Sequence, residues 1–196
     1  MPSRNLRGRF LSLFLLGLHW AGSPDLAAEG EHALPGRLVQ LYGDDFRMTV
    51  LEPYGWRLDT RAAPQIAHFI LYPETAADWR RAPVVLLARF VPTREPLENW
   101  LATNRERFQE ACPLGEISEE VPRALARAAK FQVRRYLCPT GRQEWVALRR
   151  EGRYLLIFSM SARDEGTLES HAGTFAEFLG TFRWSGESSG GAREQP

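Results

Sequence analysis

Residues 143–162 read QEWVALRREGRYLLIFSMSA, and no other stretch restricts the fold as tightly. Two runs rich in Trp, Val, Leu, Tyr, Ile and Phe meet at Glu151-Gly152, where glycine supplies the positive φ that a tight hairpin turn requires. The pattern therefore predicts two long antiparallel strands. A second run, APVVLLARFVP, places Val84, Leu86, Ala88 and Phe90 on one face and Val85, Leu87 and Val91 on the other. A strand apolar on both faces belongs in the middle of a sheet that is covered on both sides.

The other strands follow the same rules. Phe46, Met48 and Val50 alternate with Arg47 and Thr49, and Pro53 and Gly55 then mark a turn before Trp56 and Leu58. IAHFILYP and KFQVRRYLCP are further β-favouring runs. Two segments change period. In TREPLENWLATNRERFQEA, Leu97, Trp100, Leu101, Phe108 and Ala111 form a helical stripe that Asn104 interrupts, and Pro96 suits the first turn. In DEGTLESHAGTFAEFLGTFRW, Leu168, Ala172, Phe175, Phe178, Leu179 and Phe182 recur at helical spacing, with Asp164 or Thr167 as N-cap. GEISEEVPRALARAA is ambiguous between a short strand and a small helix or loop. The order of strands, helix, strands, helix implies an α+β fold, an antiparallel sheet with helices against it.

The ends read differently. Arg4, Arg7 and Arg9 precede the apolar run FLSLFLLGLHWAG and the small residues Ala27 and Ala28, the order of an export signal over residues 1–28. That run falls short of the ~18 apolar residues of a comfortable span, so membrane contact is expected only through this segment if it is uncleaved. Residues 29–44 form a lead-in without a clear pattern, residues 45–184 the domain, and residues 185–196 a small, polar tail expected to be disordered. The formal net charge of +1 becomes −1 once residues 1–28, with three arginines and Asp25, are removed. A near-neutral chain lacks the basic excess that nucleic-acid binding demands.

Chemistry-bearing residues are sparse. His19 falls in the signal and His32 in the lead-in, while His68 and His171 belong to a strand and a helix; no HExxH, CxxC or His-rich tract joins them into a metal site. Asp44 and Asp45 read as a solvated turn rather than a calcium loop. Ser159 or Ser161 with Asp164 and His171 would supply a nucleophile, an acid and a base, but no GxSxG elbow frames the serine. No glycine-rich phosphate loop is present, so no cofactor and no catalytic residue is assigned. Trp56, Trp100, Trp145 and Trp184 lie in periodic segments and read as core. Trp79, Arg80 and Arg81 lie in the polar ETAADWRR segment, where an aromatic and two guanidiniums resemble a partner-contact patch. The two cysteines, Cys112 and Cys138, each precede a proline; in an exported chain with no CxxC spacing and no further soft ligand, they are expected to pair as a disulfide.

FRMTVLEPYGW, EPLENWL, REGRYLLIFSMSA and FAEFLGTFRW together resemble the PsbP-like family of extracytoplasmic proteins, including its DcrB-type members, over roughly Asp45 to Trp184. The resemblance implies an α/β/α sandwich around an antiparallel sheet and a role in binding other proteins; it carries no catalytic residues. The resulting expectation is a periplasmic or secreted, non-catalytic accessory or binding module with a protein partner. The alternative is a small-molecule carrier or hydrolase with a cleft between sheet and helix.

Overall fold

The computed structural model describes residues 36–186 except 44, 62–66, 127 and 129. The export signal, residues 29–35 and 187–196, His19, His32 and Asp44 lie outside the described residues. Along the chain run β1 (Leu38–Tyr42), β2 (Phe46–Leu51), β3 (Trp56–Asp59), β4 (Phe69–Pro73), β5 (Val84–Pro92), α1 (Leu97–Ala111), β6 (Glu116–Ser118), α2 (Arg123–Ala126), β7 (Gln132–Leu137), β8 (Gln143–Glu151), β9 (Tyr154–Ala162), α3 (Glu165–Ser170), α4 (Ala172–Thr181) and β10 (Arg183–Gly186).

The fold is mixed α+β with antiparallel pairing throughout. Seven strands form one sheet in the order β3-β4-β5-β9-β8-β7-β6, and β1-β2-β10 form a second, smaller one. The hairpin is β8-β9, with Glu151 opposite Tyr154 and Gly152 at φ 53° in the turn. β5 pairs with β9 along its whole length, which puts the strand that is apolar on both faces inside the sheet.

Each face of the large sheet has its own cover. One face carries Val84, Leu86, Ala88, Phe90, Trp145, Ala147, Leu156, Phe158 and Met160, packed with Leu168 of α3, Phe175, Phe178 and Leu179 of α4, and Val39, Met48 and Val50 of the small sheet. The opposite face carries Tyr136, Val146, Leu148, Leu155 and Ile157 under Phe108 of α1. Asn104, the interruption in the α1 stripe, donates from Nδ2 to the Tyr136 hydroxyl at 2.8 Å. The polar residue thus pairs a polar atom within a largely apolar contact.

Several expectations shift. Residues 38–42, read as lead-in, form β1, and Ser185 and Gly186, read as tail, pair with Arg47 and Phe46 of β2. For Ser185 and Gly186 the pairing partner lies more than a hundred residues away and supplies order that local pattern cannot show. The final helix is two helices, broken at His171 (φ −101°, ψ 10°). Asp45 is no solvated turn: it pairs with Arg153 Nη2 at 2.7 Å and accepts from the Tyr154 hydroxyl, joining the small sheet to the hairpin end.

Cys112 and Cys138 form a disulfide, S–S 2.10 Å and Cα–Cα 6.0 Å, between the end of α1 and the end of β7. Such a bond is characteristic of proteins outside the reducing cytoplasm. No helix among the described residues is long and apolar enough to cross a membrane.

Candidate functional site: a polar seam on the central strands

The cover over the α1 side of the large sheet is not continuous. One apolar cluster lies under α1, and a separate one gathers Ile70, Tyr72, Ala82 and Val85 with Ala76, Trp79 and Leu87 from the β4–β5 connection. Strand alternation places Arg89, Ser159, Ser161 and Glu144 on this same face, between the two clusters. In register, Leu87 opposes Ser159, Val85 opposes Ser161, and Ser161 opposes Glu144.

At one end of the seam the polar groups satisfy one another. Ser161, 1% exposed, donates from Oγ to Glu144 Oε1 at 2.8 Å, and Arg142 Nη1 reaches Ser161 Oγ at 3.5 Å. Burial pushes the Glu144 carboxyl above the usual carboxylate range, against the opposing pull of the Ser161 hydrogen bond and the Arg142 charge. Burial also lowers Arg142 and Arg163, the latter further through Arg142. Arg163 Nη2 donates to the Arg81 carbonyl at 2.9 Å, which ties the β4–β5 connection to this end.

At the other end Arg89 is half-buried beside Leu87, Val91 and Ile157, and no carboxylate or hydrogen-bond acceptor reaches its guanidinium among the described residues. Its pKa is lowered by burial. His68 is close by: Phe90 N–H donates to its Nδ1 at 3.1 Å, so the neutral ring carries its proton on Nε2. Burial first, and the Arg89 charge second, hold the imidazole pKa down.

The sequence-derived serine, acid and base are not brought together. Ser159 and Ser161 face the α1 side, whereas α3, with Asp164 and His171 at its ends, packs on the other face. Asp164 caps α3, accepting from Thr167 N–H and Oγ1 at 2.8 Å each, and these bonds depress its pKa. His171 Nδ1 is engaged with the Thr167 carbonyl at 2.8 Å, and its ring meets the edge of Trp56. Among the described residues no three His, Cys, Asp or Glu side chains are grouped to hold a metal.

The Trp79 segment also differs from an exposed tip. Trp79 is half-buried against the second cluster, its indole N–H is buried, and Arg80 lies 4.6 Å over its ring. Arg80 and Arg81 are exposed, with Arg81 paired to Asp78 at 3.8 Å. Of the other tryptophans, Trp145 is fully buried, Trp56 is 6% exposed, and Trp184 stacks on Phe46 at 4.5 Å. Arg89 and Glu144 were missed by motif reasoning. Their signal was a charge at an inward position of an otherwise apolar strand face, and that signal is readable only once the face is known to be covered.

No protein-family model matches the chain, and no curated protein matches it. Among solved structures it is similar to cyanobacterial PsbP (CyanoP) from Synechocystis sp. PCC 6803, with 12% identity and a TM-score of 0.43 over 81% of this chain and 98% of that one. It is also similar to a variant of the protein Mog1, with 13% identity and a TM-score of 0.48 over 76% of this chain and 96% of that one. At these values neither likeness assigns a family, and the established statement is the mixed α+β fold with its antiparallel sheets.

Proposed function

We propose that the chain is a non-catalytic accessory or binding module acting outside the cytoplasm, on the outer side of the membrane, with the α/β/α layering of PsbP-like proteins. One observation carries the non-catalytic reading. The candidate nucleophile Ser161 is 1% exposed with its hydroxyl committed to Glu144, and the candidate base His171 lies across the sheet. A nucleophile needs both access and a base within hydrogen-bond reach. The disulfide and the apolar N-terminal sequence support the extracytoplasmic location. Exposed Arg80 and Arg81 remain the partner-contact candidates, on a segment that Trp79 anchors. Affinity capture of the tagged protein from its native envelope tests the reading. A reproducible partner whose recovery falls in an Arg80→Ala/Arg81→Ala variant is the expected result, and repeated capture of nothing would refute it.

A small-molecule carrier is the second reading, and Arg89 is what favours it: a half-buried guanidinium with no counterion among the described residues is complementary to an anion. Thermal stabilisation by small carboxylates, lost in Arg89→Leu, is expected of a carrier. No ligand-dependent shift would remove this reading.

A further inference from the structure

Away from the seam, the end of the β1–β2 ladder and the β3–β4 end border an open surface pocket of about 600 Å³, lined by Arg37, Glu52, Tyr54, Trp56, Arg57 and Glu74 among others. Its walls are fixed by backbone bonds: Glu52 N–H to the Arg37 carbonyl at 2.9 Å, Trp56 N–H to that of Pro53 at 3.1 Å, and Glu74 N–H to that of Gly55 at 2.8 Å. Gly36 fits so closely that a Cβ there would lie 1.6 Å from the Glu52 carbonyl oxygen. These bonds fix the backbone that carries the lining, while the side chains of Arg37, Tyr54, Arg57 and Glu74 are exposed to solvent.

Glu52 is 5% exposed, a degree of burial that a carboxylate tolerates only with partners. Its Oε2 receives Arg37 Nε at 2.9 Å, whereas no donor among the described residues reaches Oε1. Glu52 lines the pocket, so this second carboxylate oxygen is the acceptor it can offer a ligand there. Around it the charges cancel, with two guanidiniums, Arg37 and Arg57, against two carboxylates, Glu52 and Glu74. An ion of either sign would be attracted by one pair and repelled by the other. A neutral ligand rich in hydroxyls can donate to the carboxylates and accept from the guanidiniums at once. Tyr54, 64% exposed, adds an aromatic face at the rim, available to stack on an apolar C–H surface.

We propose that this pocket binds a neutral saccharide, with Glu52 Oε1 accepting from a ring hydroxyl, Arg57 donating to another, and Tyr54 covering the sugar's apolar face. Neither the partner reading nor the Arg89 seam enters this argument, so its failure leaves both in place. The test uses the full chain with glucose, N-acetylglucosamine and cellobiose as probes, read by Trp56-sensitive fluorescence and by saturation-transfer NMR. At least one probe should bind saturably in the millimolar range, and Tyr54→Ala, a surface change, should weaken it roughly tenfold. Arg57→Ala should do the same without disturbing the Arg37–Glu52 pair. Absence of binding by all three probes overturns the proposal, as does affinity unchanged in both variants. Stronger competition by lysine or acetate than by the sugars overturns the neutral-ligand assignment.

Discussion

Removal of the Cys112–Cys138 bond is the sharpest perturbation this structure offers. The bond spans 26 residues of sequence, enclosing β6, α2 and β7. Without it, the unfolded chain regains the freedom of that open loop, while the folded state keeps its contacts: Leu125 of α2 in the main core, Phe108 against Tyr136 at 5.1 Å, and the β6-β7-β8 ladder. The chain-entropy estimate for this separation is about 3.5 kcal/mol. At roughly 2–4 °C per kcal/mol for a domain of this size, the melting temperature should fall by about 7 to 14 °C. The assay is guanidinium and thermal unfolding of the oxidised protein, the reduced and alkylated protein, and the Cys112→Ala/Cys138→Ala variant. Reduced protein and variant should agree, because both open the same loop, and their denaturant slopes should rise as the unfolded state expands. A reduced protein within about 1 kcal/mol of the oxidised one would show that the loop is already restrained when unfolded, and the entropic reasoning would fail.

Two carboxylates should respond to pH in opposite directions. Glu144 has a raised pKa in the fold, so the folded state holds its proton more tightly than the unfolded chain, and stability falls as pH rises from the ordinary carboxylate range through the folded pKa. Glu144→Gln should therefore match the wild type in acid and exceed it at neutral pH; a gap that does not change with pH refutes this. Asp164 has a depressed pKa, so its cap stabilises at neutral pH and fades as pH falls through that low value. Asp164→Ala should cost about 1 kcal/mol at neutral pH and progressively less in strong acid; equal cost at both extremes contradicts the capping role. Arg89→Leu, which replaces a half-buried cation without a charge partner among the described residues, beside Leu87, Val91 and Ile157, should leave stability unchanged or raised, whereas Arg135→Leu, which removes the ion pairs to the solvent-exposed Glu165 and Glu169, should lower it by up to about 1 kcal/mol. Equal losses in the two unfolding experiments would show that Arg89 has a structural partner after all.

Much of the architecture could be read from residue order. The β8-β9 hairpin, the two-faced β5, the α1 stripe ending at Cys112 and the apolar residues of α3 and α4 all follow from periods of two or 3.6 and from glycine and proline, because these signals are local. The candidate site was far less legible. Ser159 and Ser161 stood out by residue type, yet their pairing with Asp164 and His171 failed, because β9 turns its serines to one face while α3 returns over the other. Trp79 stood out as an exposed aromatic, but its ring packs inward on a cluster assembled from β4 and β5.

Sequence alone thus determined the long strands and the apolar stripes of the helices, the near-neutral charge and the even cysteine pair. Tertiary structure alone decided that β1 and β10 flank β2 in a separate sheet, that the cysteines meet at 6.0 Å between Cα atoms, and that Arg89 and Glu144 lie in a gap between two apolar clusters. The physical reason is range. Backbone propensity and side-chain alternation act over a few residues, whereas burial, a counterion or its absence, and the depth of a cavity depend on segments that are distant in sequence and meet only in the folded chain.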